Sequence, residues 1–188
     1  MTIHDELIYD LTQPDKEGKI PLHEIVKKKD TVFKLEETFH TQLVSVNKLE
    51  TITPDVFVII GIHDPIENRK HILIELESDI TWDFGKSLRQ IKKYRRYRWK
   101  DDAKYEYDDF EVYVIIPKGY EKYAKLYQNE GINVWLWTTM CVWECKKCVN
   151  VWEEEIISPR IHPKCPSQKC NHNQHYLLKA YNSKFESA

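Results

Sequence analysis

Glu75 and Glu77 stand two residues apart in the apolar run His71 to Ser78, HILIELES. Residues at that spacing on a strand share a face, so both carboxylates project from one side of a sheet. Asp55 follows Pro54 at the head of a second apolar run, DVFVIIG. Where two such strands are neighbours, Asp55 meets Glu75. Three carboxylates at one sheet edge suit Mg²⁺ or Mn²⁺, hard cations that keep waters able to serve as nucleophiles. Taken alone, the Glu75 and Glu77 pair also fits the solvent side of a half-exposed strand.

The five cysteines, Cys141, Cys145, Cys148, Cys165 and Cys170, fall within thirty residues, and the first 140 residues have none. Such clustering predicts metal binding in a reducing compartment rather than a disulfide framework. Cys145-x2-Cys148 and Cys165-x4-Cys170, sixteen residues apart, offer four thiolates to a tetrahedral Zn²⁺. The second pair is wider than the usual two-residue spacing, which leaves Cys141, His162 and His172 as substitute ligands. A redox pair, an iron–sulfur site and unliganded thiols are the competing readings. A metal closed in by four protein ligands belongs to folding and not to catalysis.

Between these groups lies a basic stretch. Lys86, Arg89, Lys92, Lys93, Arg95, Arg96, Arg98 and Lys100 give eight cations in fifteen residues, interleaved with Tyr94, Tyr97 and Trp99. Cations of this density neutralise phosphates, and the aromatic rings offer stacking surfaces to unpaired bases. A solvated helix face paired with Asp83 and Asp101 is the plainer account.

The elements that must position these groups follow from periodicity. Residues 1 to 30, broken by Pro14, Gly18 and Pro21, hold short helical stretches such as Leu22 to Lys29 and receive no function. Val32, Leu35, Phe39 and Leu43 recur at helical spacing and predict a helix from Thr31. Strands are expected over Leu43 to Leu49, Asp55 to Gly61 and His71 to Ser78, followed by a basic helix from Phe84 to Trp99. Then come a strand Phe110 to Pro117, a helix Tyr120 to Glu130 and a last strand Asn133 to Thr138. This succession calls for a mixed α/β sheet with helices on its faces.

Thr53-Pro54-Asp55, Glu75-Leu76-Glu77 and Gln90-Ile91-Lys92-Lys93-Tyr94 together resemble the PD-(D/E)XK nuclease superfamily, and especially its RecB-like members with a Q-x-x-x-Y helix motif. The likeness covers about Leu35 to Thr138. It implies a restriction-endonuclease-like mixed sheet, with Asp55 and Glu75 as the metal-binding acids and Glu36 or Glu37 as the acid of a preceding helix. Gln90 and Tyr94 match the helix residues that position site and substrate. Glu77 stands where the family usually has lysine. Lys86, four and eight residues before Gln90 and Tyr94, projects from about the same helix face and is the candidate replacement. Arg89, Lys92, Lys93 and Arg96 are the expected DNA contacts. Trp143 to Cys148 resembles the first knuckle of a zinc ribbon, with Asn150 to Ile157 as its hairpin strand.

A net charge of -2 excludes a protein that coats nucleic acid through bulk positive charge. No apolar run reaches the length of a membrane span, and no targeting segment is expected. The expectation is an intracellular Mg²⁺-dependent endodeoxyribonuclease without a membrane partner, acting on single-stranded or branched DNA, with a homodimer compatible. It divides into an N-terminal extension (1–30), a nuclease-like domain (31–140) and a zinc-ribbon module with tail (141–188). The rivals are a catalytically inactive nucleic-acid-binding module and a zinc-ribbon adaptor of a transcription or replication complex. The absent strand lysine favours the first.

Overall fold

The computed structural model describes residues 2–26, 34–36, 43–45, 51–52, 54–61, 65, 68–78, 83–94, 97–100, 106–107, 110–158, 163–167, 170, 172 and 174–188. Its elements in chain order are α1 (Ile3–Thr12), α2 (Pro21–Ile25), β1 (Lys34–Glu36), β2 (Leu43–Ser45), β3 (Thr51–Ile52), β4 (Val56–Ile60) and β5 (Lys70–Leu76). Then follow α3 (Phe84–Tyr94), β6 (Tyr97–Lys100), β7 (Glu106–Tyr107), β8 (Phe110–Pro117), α4 (Ala124–Gln128), β9 (Asn133–Cys145), β10 (Val151–Ile156) and β11 (His175–Ser187). No helix among the described residues is long and apolar enough to cross a membrane.

The main sheet runs β1-β4-β5-β8-β9-β10, with β11 also paired to β9. Its centre is mixed. β4 and β5 are antiparallel, with Val56 opposite Ile74, whereas β5 and β8, and then β8 and β9, are parallel. Parallel neighbours need crossovers, supplied by α3 and by a short 3-10 helix (Lys118–Tyr123) leading into α4. Helices therefore cover both faces, which is why VFVII and ILI are continuous apolar runs rather than alternating ones. One core packs Leu7, Leu11, Leu22 and Ile25 of the first two helices on Val58, Ile72, Ile74 and Trp137. The other packs Ile91, Tyr94 and Tyr127 on Phe57, Leu73, Val114 and Leu136.

The first helix is well specified locally. Thr2 Oγ1 accepts the Asp5 amide at 3.2 Å and the Asp5 carboxylate accepts the Thr2 amide at 2.9 Å, a capping box that satisfies N–H groups otherwise left over. Its stripe of Leu7, Ile8 and Leu11 is buried, and the Asp10 carboxylate accepts the Ser183 amide of β11 at 2.8 Å. Residues of the expected extension thus form part of the core.

Several element boundaries differ from expectation. Lys34–Glu36, predicted helical, is a strand antiparallel to β4. A ready row of β4 backbone groups outweighs a short amphipathic period; the neighbouring Val32, Glu37 and Phe39 lie outside the described residues. The basic helix stops at Tyr94 rather than Trp99, and Tyr97–Lys100 pairs as a strand with β2. Alternating Tyr97 and Trp99 suit a pleated surface better than a helix end. The segment Tyr120 to Glu130 divides into the 3-10 turn and α4. The last strand runs on to Cys145, paired on one side by β10 and on the other by β11. The expected division after position 140 falls inside it.

Candidate active site and metal centre

Antiparallel pairing of β4 and β5 brings the start of one strand to the end of the other and sets Asp55 beside Glu75, whereas the three acids with Glu77 do not close into one ligand cluster. Asp55, just ahead of β4, accepts the Leu76 amide on Oδ2 at 2.7 Å. Glu75 is buried, with its side chain on the α3 side of the sheet by the alternation that puts Leu73 in that core. Glu77 lies just past β5. Its amide donates to the Ile115 carbonyl at 2.9 Å and its carbonyl accepts the Trp137 indole N–H at 2.9 Å. These bonds fix the backbone on both sides of Leu76.

Burial pushes the Glu75 carboxyl well above the usual carboxylate range, and the charges of Asp55 and Glu77 push it further. The Gln90 amide, donating to Oε2 at 3.5 Å, opposes this weakly. Oε1 is buried without a hydrogen-bond partner. A carboxyl so placed resists carrying its charge alone.

His4 is the residue that sequence reasoning missed. Its Nε2 lies 3.2 Å from Asp55 Oδ1, and this hydrogen bond raises the imidazole above its ordinary value against the opposing effect of burial. The charge of Glu77 adds to the rise. The capping box and apolar stripe announce α1 as a packed helix, but only its docking on the sheet takes His4 to Asp55. The acids are thus approached from both sheet faces, by α1 on one and α3 on the other.

On α3, Ser87, Ile91 and Tyr94 form the buried face. Gln90 reaches Glu75. Tyr94 is core, its ring fully buried and its hydroxyl without a partner. Lys86 is exposed in the first turn, where its backbone amide donates to the Asp83 carboxylate at 2.8 Å. Arg89 and Lys93 are exposed, and Lys92 pairs with Glu130 at 2.8 Å. Glu36 ends β1 opposite Phe57, near the Asp55 end of β4. Arg96 lies outside the described residues.

Comparison with protein-family models, with curated proteins and with solved structures found no match. Function is accordingly read from the site.

Cys145, Cys148, Cys165 and Cys170 hold their sulfurs within 4.8 Å of one another, the only set of three or more such ligand residues so close among the described residues. Sγ atoms lie 3.6 Å apart for Cys145 and Cys170, and 3.5 Å apart for Cys148 and Cys165. A tetrahedral Zn²⁺ with bonds of about 2.3 Å requires edges of about 3.8 Å, so the four thiols fit such a metal. The knuckle is closed by the Lys147 amide donating to Cys145 Sγ at 3.4 Å and the Val149 amide donating to the Cys145 carbonyl at 3.0 Å. Burial pushes the Cys145 thiol up, but the amides of Cys148 and Lys147 and the neighbouring thiols outweigh it and bring it to about 6. Burial raises Cys165 to about 12 and also lifts Cys170. A dication supplies the charge that four crowded thiolates need. Cys141 stands apart, buried in β9 opposite Ala180 and Glu154. His172 bonds near Gln174, and His162 lies outside the described residues.

Proposed function

We propose that this chain is a metal-dependent DNA nuclease of the PD-(D/E)XK kind, in which Asp55 and Glu75 hold Mg²⁺ or Mn²⁺ and Glu77 is an auxiliary ligand. The observation that carries this reading is Glu75: buried at the end of a central strand, against two other acids, with one oxygen unpartnered. Folding gains nothing from such a group, and strongly perturbed acids of this kind gather at functional sites. Asp55 and Glu75 offer hard oxygen donors suited to a magnesium-like ion, with the Glu77 charge close enough to raise Glu75. When bound, that ion would supply an activated water and polarise a phosphoryl oxygen.

The remaining roles fall to this chain's own side chains. The Leu76 amide and His4 orient Asp55, and Gln90 steers Glu75. Arg89 and Lys93, exposed on α3, suit the phosphate backbone of DNA. Lys86, one turn before Gln90, takes the electrostatic role of the strand lysine that Glu77 replaces. The succession β1-β4-β5, α3, β8, α4, β9 supports the family resemblance. The four-thiol site takes a structural Zn²⁺ in a ribbon-like module, and its reduced thiols suit an intracellular setting.

Incubation with supercoiled, linear and single-stranded DNA in Mg²⁺ or Mn²⁺ tests the reading. Cleavage should appear with the cation and be abolished by Glu75→Gln, while DNA binding survives. Activity retained in Glu75→Gln would show that the chemistry lies elsewhere. Glu77 in the lysine position favours a second reading, a binding module without chemistry, for which wild type binds DNA and cleaves none.

A further inference from the structure

We infer that the metal-binding tip is a second nucleic-acid contact, made by Lys146, Lys147 and Tyr176 about 26 Å from the acids along the same sheet. The inference rests on the nucleic-acid part of the reading above. The stretches 145–152 and 157–174 contain no Asp or Glu, although the whole chain carries -2. Lys146, Lys147, Arg160, Lys164 and Lys169 lie in them. With Glu153, Glu154 and Glu155 of β10 between these stretches, residues 145–174 carry five cations and three acids, which balances the minus two of four thiolates around a dication, so the positive charge is local to the tip rather than a net excess. Lys146, Lys147 and Lys164 are exposed; Arg160 and Lys169 lie outside the described residues.

The surface beside these cations is not built for packing. Val149 holds φ at 57°, a region that penalises a β-branched residue, and its side chain is 67% exposed. Val151 and Tyr176 are 52% and 54% exposed. They flank the half-buried Glu144 in one rung of the sheet. The Lys146 ammonium sits 4.6 Å from the Tyr176 ring centroid. An exposed ring joined to cations matches the chemistry of phosphate contact with base stacking.

The Trp137 indole bonds to the Glu77 carbonyl, so β9 at residue 137 is level with the acids. Cys145 lies eight residues further along the same strand, about 26 Å at about 3.3 Å per residue. Even-numbered β9 residues such as Val134 and Leu136 share the core on the α3 side, and Glu144 continues that face with Val151 and Tyr176 beside it. DNA lying on the acids and α3 is thereby offered a second grip about eight base steps away, at about 3.4 Å per step.

The experiment measures binding of a fluorescent duplex of about 30 base pairs and a single strand of similar length, without divalent cation in the buffer. Lys146→Glu with Lys147→Glu should weaken duplex binding about tenfold or more near 0.1 M salt and lower the salt slope by about two. Lys16→Glu with Lys19→Glu, the same charge change in the exposed turn between α1 and α2 on the opposite sheet face, should cost under about threefold. Tyr176→Ala should weaken single-strand binding by about fivefold or more. The tip deficit should shrink on duplexes of about eight base pairs, too short to span both contacts. Where charge reversal disturbs zinc content or melting, the milder Lys146→Ala with Lys147→Ala decides the matter by the same slope. Tip variants that bind as wild type does, or that lose no more than the control pair, overturn the inference and point the surface at a protein partner. Because this assay contains no divalent cation, binding is read apart from cleavage, and a wild type that binds here yet cleaves no DNA when Mg²⁺ or Mn²⁺ is supplied defeats the nuclease reading alone. A cleaving enzyme indifferent to tip variants defeats this inference alone.

Discussion

With its carboxyl raised by burial, then by Asp55 and Glu77, Glu75 holds a proton more firmly in the folded chain than in the unfolded one. Above the ordinary carboxylate value of 4.5 the unfolded chain has shed that proton, while the folded chain must keep it or bury a charge. Stability from this group therefore falls as pH rises from about 4.5 up to the folded value, and the penalty is complete above it. In protein free of Mg²⁺ and Mn²⁺, Glu75→Gln should melt higher than wild type near pH 8 and lose that advantage near pH 4.5; about 1 kcal/mol corresponds to roughly 2–4 °C in a chain of this size. A gain independent of pH would show that Glu75 is not the strained acid. Lys86→Ala should lower turnover by roughly 100-fold at saturating DNA, the scale of one lost electrostatic contact. Lys92→Ala should change only salt-sensitive binding, and weakly, since Lys92 already pairs with Glu130. Equal rates for wild type and Lys86→Ala would leave Glu77, as a metal ligand, to replace the strand lysine.

At the scale of elements, the crossover after β8 depends on a close approach. The Gly119 amide donates to the Ile157 carbonyl at 2.7 Å, and a Cβ at Gly119 would stand 3.0 Å from that oxygen and 3.1 Å from Ser158 Cβ. This contact joins the 3-10 turn to the chain leaving β10, so the core sheet and the cysteine-bearing strands share a seam. Gly119→Ala must push backbone apart and should cost about 1–3 kcal/mol. Calorimetry would read this as a lower melting temperature; an unchanged one would mean that the seam yields freely. The same seam explains why the segment Tyr120 to Glu130 is not one helix: its first turn is held to a neighbour and only Ala124–Gln128 is free to close α-helical bonds.

For the whole molecule, β9 and β11 couple the metal centre to the sheet that holds the acids, since β11 pairs from Cys145 back to Trp135. Elemental analysis should find one zinc per chain, and stripping it should raise amide exchange across residues 145–174 while β9 near Val134 and Leu136 stays protected. Zinc absent, or iron in its place, would remove the structural-zinc assignment. Local sequence was enough for the groups that share a short stretch of chain. The cysteine spacing named the four thiols, apolar runs named β4, β5 and β8, and alternation placed Glu75 on β5, with Glu77 falling just past its end, because such patterns are set by periods of two and by short ligand loops. It was not enough where the outcome depends on what lies opposite. Lys34–Glu36 became a strand because β4 offered an edge, and His175–Ser187, read as a tail, became a strand because β9 offered another. His4 reached Asp55 because α1 docks its leucines beside β11. Pairing and docking energies come from distant partners, so no window of sequence contains them, and only the tertiary structure decided which residues surround the acids.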